Sequence, residues 1–312
     1  MANVIIYQDI NFGGSSQQLA VGDYDISKLQ IGNDQLSSLQ VPNGLVVTLF
    51  ADAGFQGATK TFTADAAFVG ADFNDVTSSI VVGNATDAIT IYEDANFQGA
   101  SQMMTPGMYD VNSLQIGNDK LSSIKIPLGI RVTLFADAGF KGASKTFTAD
   151  TAYVGNDFND ITSSIDVAKL SEMKLSGSIV FPDGQAVTSQ YTIRMQENGN
   201  VTFALHVHDS TVLETYDYGV VVVVVTPNKT AYTFTHQGHV ANVALGSVHD
   251  DNPIINTTNS AIATNWQQIL QATAIAKGNA DPHILGEGWE QEATQIAETV
   301  GEVVIEIVSS LL

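Results

Sequence analysis

A hexapeptide, Asn-Asp-x-x-Ser-Ser, occurs four times in the chain, at Asn33–Ser38, Asn74–Ser79, Asn118–Ser123 and Asn159–Ser164. Each copy follows a second signature, an aromatic residue with Phe five positions later and Gly two beyond that: Tyr7/Phe12/Gly14, Phe50/Phe55/Gly57, Tyr92/Phe97/Gly99 and Phe135/Phe140/Gly142. The separation from aromatic to hexapeptide alternates 26, 24, 26, 24, and the first pair of motifs maps onto the second by a constant shift of 85 residues. Self-similarity at a fixed period marks a repeated structural unit, so a pair of motifs has been used twice.

The chemistry of the two signatures is legible residue by residue. An aromatic followed by Phe-x-Gly, between strand-like runs, predicts a folded hairpin whose Gly takes a backbone conformation other residues resist. The hexapeptide supplies only oxygen: Asp carboxylates, Asn amide oxygens, Ser hydroxyls and loop carbonyls. Those are hard ligands of the kind Ca²⁺ takes, and with no cysteine in the chain a thiolate zinc or iron-sulfur site is excluded. Asn-Asp and Ser-Ser also make ordinary turns and caps, but four copies in register point to a shared role.

Residues 3–167 resemble two βγ-crystallin domains of the microbial calcium-binding kind, each made of two Greek-key motifs, because both signatures occur together and in order in every motif. The resemblance covers slightly more than half of the chain. It implies two Ca²⁺ sites per domain, about four in all, each borrowing ligands from both motifs of its domain. The residues it implicates are the side chains of Asp34, Asp75, Asp119 and Asp160 and the hydroxyls of Ser37, Ser78, Ser122 and Ser163. The carbonyls of Gln35, Val76, Lys120 and Ile161 join them, with further carbonyls from Gln8, Ala51, Glu93 and Ala136, the residues after each leading aromatic. One or two formal charges per site imply sensor-like or weaker affinity.

The expected organisation is mainly β: domains over 1–83 and 88–167, joined by the polar stretch Asn84-Ala-Thr-Asp87, then a β-sandwich-like domain over 175–312 with two terminal helices. Tyr24 and Tyr109 fall in equivalent places and read as packing residues with a polar handle. A net charge of -21 with only 12 Lys and Arg argues against a nucleic-acid partner, since affinity for phosphate backbones comes mainly from clustered cations. No run approaches the roughly 18 apolar residues of a transmembrane helix. The start, Met1-Ala-Asn followed by Val4-Ile-Ile-Tyr, lacks the basic and apolar regions of a signal peptide, so the expected location is cytoplasmic or reached by non-classical secretion.

After a connector at 168–174 the repeat ends. Short apolar or alternating runs at 177–181, 187–195, 201–208, 219–226, 231–236 and 239–245, with turns at Pro182-Asp-Gly, Glu197-Asn-Gly-Asn and Thr226-Pro-Asn-Lys, predict an antiparallel sandwich or open barrel. Val220 to Val225 does not alternate and predicts a strand covered on both faces. Ser260 to Lys277 reads as a helix opened by an Asn259 cap and closed by Gly278. Glu287 to Leu311 reads as a second, with an apolar stripe through Trp289, Ile296, Val300, Val304 and Ile307 and an acidic face of Glu290, Glu298, Glu302 and Glu306. That helix either packs on the sandwich or joins two copies into a homo-oligomer.

His206 and His208, two apart on one expected strand face, could bind a second metal with His236, His239, Asp209 or the His249-Asp-Asp cluster; as polar surface residues they need no metal. The sequence supports a calcium-binding structural or adhesive protein, not an enzyme. In that reading Ca²⁺ stabilises the tandem domains while the last domain meets a glycan, a surface or a partner protein. A toxin-like or pore-forming effector and a metal-dependent hydrolase using the histidines are the alternatives; no nucleophile elbow, phosphate loop or His-Glu-x-x-His motif is present.

Overall fold

In the computed structural model, the residues described are 3–181, 187–209, 216–240, 249–279, 295 and 304–309. The chain forms two compact units, Met1–Leu170 and Ser171–Leu312. Unit 1 opens with seven strands, β1 (Val4–Asp9), β2 (Gly13–Leu19), β3 (Gly22–Tyr24), β4 (Ser38–Gln40), β5 (Leu45–Asp52), β6 (Gln56–Phe62) and β7 (Ser79–Asn84). The same seven recur 85 residues later as β8 (Ile89–Asp94), β9 (Gln98–Met104), β10 (Gly107–Tyr109), β11 (Ser123–Lys125), β12 (Ile130–Asp137), β13 (Lys141–Phe147) and β14 (Ser164–Lys169).

Each half of unit 1 is a pair of antiparallel sheets, ordered β2-β1-β4 with β3-β7-β5-β6, and β11-β8-β9 with β10-β14-β12-β13. The third strand of each half leaves its own motif and pairs in the sheet of the next, Gly22–Tyr24 on Val82–Ile80 and Gly107–Tyr109 on Val167–Ile165. That exchange is the Greek-key connection. Inward positions alternate along the strands, so Val4, Ile6, Leu39, Val47, Leu49, Ile80 and Val82 close the first core. Ile89, Ile91, Ile124, Val132, Leu134, Ile165 and Val167 close the second.

The two halves are packed together. Phe50 and Val81 of the first half belong to the core of the second, and the Phe50 ring stacks on Tyr109 at 5.9 Å. Tyr109 is fully buried, donates its hydroxyl to the Thr105 carbonyl at 2.9 Å, and burial pushes its pKa up to about 12. Thr59 donates to the Ser113 carbonyl at 2.9 Å, Ser113 donates to the Gly57 carbonyl at 2.7 Å, and Gln115 donates to the Thr59 carbonyl at 2.8 Å.

Unit 2 is a β-sandwich. One sheet holds β15 (Glu172–Ile179), β16 (Val187–Gln196), β17 (Asn200–Asp209) and β20 (His249–Asp251), with β21 (Ile254–Thr258) also paired to β17. The other holds β22 (Thr273–Asn279), β18 (Tyr216–Val225), β19 (Thr230–Val240) and β23 (Val304–Ser309), in that order. Tyr191, Ile193, Phe203 and Leu205 from the first sheet meet Tyr218, Val220, Val222, Val224 and Phe234 from the second, and Ile262, Trp266 and Ile269 join this core. Val220 to Val225 are all buried, as expected for a strand covered on both sides.

Three expectations for unit 2 need correction. The connector is shorter, since β14 runs to Lys169 and β15 starts at Glu172. The helix expected over 260–277 is two short turns, α1 (Ser260–Thr264) and α2 (Trp266–Ile269), and residues 273–279 are a strand paired along Val225–Gly219. Asn259 does cap α1, accepting from the Ala261 N–H at 2.8 Å. Gly278 is no helix terminator: a methyl there would lie 2.5 Å from the Phe181 ring, so the residue lets an aromatic close over the strand. Residues 304–309 of the second expected helix form a strand parallel to Thr230–Phe234. Val304, Ile305, Ile307 and Val308 are β-branched and suit a strand as well as an apolar helix stripe, and pairing with β19 decides between them. The rest of that expected helix, Gln295 apart, lies outside the described residues.

Candidate metal centres

Each hairpin corner of unit 1 is built by its Phe-x-Gly. Phe12, Phe55, Phe97 and Phe140 all take positive φ, between 60° and 62°. The ring meets its leading aromatic edge-on, with centroids 5.7 Å apart for Tyr7/Phe12 and 5.9 Å for Phe50/Phe55. Gly14 lies so close to the Asp9 carboxylate that a methyl would come within 2.8 Å of it. That contact explains the glycine better than backbone freedom alone.

The last serine of each hexapeptide ties its loop to a corner. Ser38 donates to the Asp9 carbonyl at 2.6 Å and accepts from the Phe12 N–H at 3.0 Å. Ser79, Ser123 and Ser164 repeat this with Asp52 and Phe55, Asp94 and Phe97, and Asp137 and Phe140. All four serines are fully buried. This role was missed in the sequence, although the invariance of Ser-Ser in four copies signals that both positions are constrained.

The second residue, Asp34, Asp75, Asp119 or Asp160, sits in the left-handed region at φ 54° to 57°, which Asp tolerates better than most residues. Its carboxylate is held by the preceding asparagine, whose amide donates at 2.7 Å in Asn33/Asp34. The paired loops of each half interlock. The Asp34 N–H donates to the Thr77 carbonyl and the Asp75 N–H to the Leu36 carbonyl, at 3.3 and 3.2 Å. The first serine of each loop also hydrogen-bonds a leading aromatic, Ser78 N–H to the Phe50 carbonyl at 3.0 Å and Ser37 N–H to the Tyr7 carbonyl at 3.0 Å.

These bonds bring one loop's aspartate to the other loop's serine. Ser78 Oγ lies 3.1 Å from Asp34 Oδ1, and Ser163 Oγ lies 3.2 Å from Asp119 Oδ1. Val76 and Ile161 precede Ser78 and Ser163 by two residues, and Ala51 and Ala136 follow Phe50 and Phe135, whose carbonyls accept from the N–H groups of those serines. The converse sets, Asp75 with Ser37, Gln35 and Gln8, and Asp160 with Ser122, Lys120 and Glu93, are drawn together by the same backbone bonds, though no hydrogen bond joins serine to aspartate there among the described residues. In the last set the Lys120 side chain reaches Glu93 at 3.5 Å. Two oxygens about 3 Å apart subtend roughly 80° at a cation 2.4 Å from each, the angle between neighbouring ligands in Ca²⁺ polyhedra. The donor set therefore fits a hard cation.

Comparisons with known proteins bear on the family of unit 1. A family model described as Beta/Gamma crystallin matches residues 46–126. The chain is 31% identical over 181 residues to Development-specific protein S of Myxococcus xanthus, an alignment covering 54% of this chain and 100% of that protein. The chain belongs to the βγ-crystallin family. A second βγ-crystallin relative, the Development-specific protein S homolog of the same organism, is 30% identical over 172 residues, 53% of this chain and 98% of that one. Among solved structures, a βγ-crystallin domain from Clostridium beijerinckii is 39% identical, covering 26% of this chain and 97% of its own, with a TM-score of 0.26.

The histidines of unit 2 divide between the sheets. His206 and His208 share the outer face of β17, opposite buried Val201, Phe203, Leu205 and Val207. His206 Nδ1 lies 2.7 Å from Asn252 Oδ1, and His208 Nδ1 lies 2.8 Å from Asp250 Oδ1. His236 and His239 stand on β19 in the other sheet, His239 beside Asp217 and His236 against the Tyr218 ring at 6.0 Å. Asp209 is buried, and the His249 side chain lies outside the described residues. Among the described residues, no three His, Asp or Glu side chains gather closely enough to hold a metal ion. No described helix is long and apolar enough to cross a membrane.

Proposed function

We propose that this βγ-crystallin protein binds about four Ca²⁺ ions in unit 1, organised as domains 1–83 and 88–167, and serves a structural or adhesive role through a third domain, 175–312. The cross-loop approach of Ser78 to Asp34, repeated 85 residues on by Ser163 and Asp119, carries the reading. Asp34, Ser78, Val76 and Ala51 would form one set, and Asp119, Ser163, Ile161 and Ala136 its equivalent. Asp75, Ser37, Gln35 and Gln8, and Asp160, Ser122, Lys120 and Glu93, would form the other two. A bound ion would take the place of the hydrogen bond from Ser78 to Asp34, with the hydroxyl turning its proton away, and would lock two loops that the backbone already holds together.

Asp34→Gly tests this, because glycine accepts φ 54° without strain while deleting the carboxylate. Titration calorimetry of the full chain with Ca²⁺ should show one site fewer in Asp34→Gly, and likewise in the equivalent changes at Asp75, Asp119 and Asp160. Wild-type stoichiometry in all four variants would show that the ligand assignment is wrong, and no binding by the wild type would show that the hexapeptides are only turns.

For unit 2, adhesion is supported by the outer face of the β15-β16-β17 sheet. Two open grooves of about 590 and 460 Å³ lie there, the first lined by Arg194, Thr202 and Asn256, the second by Ser178, Gln190 and Thr192. Mostly neutral hydrogen-bonding side chains at strand spacing suit a hydroxyl-rich glycan. Affinity electrophoresis through polysaccharide gels should show retardation that Gln190→Ala with Thr192→Ala abolishes; unretarded wild type would remove the glycan from the reading.

A further inference from the structure

The contact between the two halves of unit 1 is head to tail. The first half contributes β6, Phe50 and Val81, while the second contributes β9, Tyr109 and the 3₁₀ turn Val111–Ser113. A heterologous contact uses two different patches, so each repeat owns both and the pair leaves one of each unused. The shift of 85 locates them. The unused copy of the first patch is β13 with Phe135, and the unused copy of the second is β2 with Tyr24 and the turn Ile26–Lys28.

Apart from Ser113, whose place is taken by Lys28, both unused patches keep the bonding groups of the occupied ones. Thr59 becomes Ser144, still a hydroxyl, and Thr61, which donates to the Met103 carbonyl at 3.2 Å, becomes Thr146. Gln115 becomes Gln30, and the stacked pair Phe50/Tyr109 becomes Phe135 and Tyr24. Gln102, which bridges the turn carbonyl and the Gln115 N–H at 2.8 and 2.7 Å, has its double in Gln17, on the Lys28 carbonyl and the Gln30 N–H at 2.8 and 2.6 Å. The receiving patch is therefore already folded in the shape that accepts a β6-like strand. Burial follows occupancy: Thr59, Ser113 and Tyr109 are buried, whereas Ser144 and Lys28 are exposed and Tyr24 is half-buried.

The differences compensate. Gly83 meets Thr105 so closely that a methyl on it would lie 2.8 Å from Thr105 Cγ2. Its counterpart is Ala168, which carries that methyl, and the counterpart of Thr105 is Ala20, which lacks Cγ2. Elsewhere Val81 becomes Asp166, ion-paired with Arg131 at 2.9 Å, and Ser113 becomes Lys28, whose ammonium donates to the Asp23 carbonyl at 2.9 Å, so neither change leaves an unpaired charge on its patch.

We infer that a second copy of this chain docks through these patches, the β13 patch of one copy on the β2 patch of the next, giving an open head-to-tail series. Sedimentation of the full chain at physiological ionic strength should show a mass that climbs with concentration through dimer and beyond. Ser144→Arg blocks one patch and Ala20→Arg the other, and both sites are exposed, so folding is preserved. Each variant alone should stay monomeric, and their mixture should double in mass and stop there, since one open patch of each kind remains. Monomeric wild type at every soluble concentration, a variant that still associates alone, or a mixture that stays monomeric would each overturn the inference.

Discussion

The two serines of each hexapeptide stand side by side in the chain and do different work. Ser78 offers its hydroxyl to Asp34 of the other loop, while Ser79 is wholly buried between the Asp52 carbonyl and the Phe55 N–H. Ser79→Ala leaves both without their partner and should cost about 1–3 kcal/mol of stability without Ca²⁺. Ser78→Ala should change stability by under about 1 kcal/mol and act on Ca²⁺ affinity instead. Denaturant unfolding in chelator, set beside calorimetry, separates the two. Repetition made the loop legible in the sequence. The division of labour was not, because it depends on which serine faces inward after the chain has closed. His236 gives a second residue-scale expectation. Burial holds its pKa below the ordinary value, against the pull of Asp251, and its Nδ1 is buried without a partner. A depressed histidine contributes stability that is complete above the unfolded value of about 6.5 and lost as pH falls through the folded one. The unfolding free energy of unit 2 should therefore drop as pH falls below about 6.5, and His236→Gln should flatten that slope.

At the scale of elements, β22 shows where local pattern misleads. Thr273-Ala-Ile-Ala-Lys alternates, yet it follows two helical turns and its alanines favour helix. The partner that settles the matter is the valine strand β18, nearly fifty residues earlier, with which residues 273–279 pair along their whole length. Strand β23 likewise finds its place only against β19. The sandwich core was legible because β16 and β17 alternate strictly, and the Val220–Val225 run because nothing in it is polar. Gly278→Ala probes the corrected assignment. In a helix terminus it would be mild, whereas a methyl 2.5 Å from the Phe181 ring should destabilise unit 2 by about 1–3 kcal/mol, read from its unfolding transition.

For the molecule as a whole, the division into Met1–Leu170 and Ser171–Leu312 predicts how calcium is felt. An ion that binds only the native state adds about 2.7 kcal/mol per site at a hundredfold excess over Kd. Differential scanning calorimetry should show one transition that moves upward with Ca²⁺ and a second, from unit 2, that does not; a single transition moving as one would show that the units unfold together. The strand exchange inside unit 1 also bears on synthesis. Strand β3 has no sheet to join until β7, residues 79–84, has been made, and β10 waits in the same way for β14 at 164–169. At roughly 5–20 residues per second, the nascent first half spends some seconds with its apolar strands unpaired. Phe50 and Val81 wait longer still, until Tyr109 has emerged to cover them. The ribosome therefore holds a succession of half-closed sheets, and a pause just before residue 79 would prolong the most exposed of them.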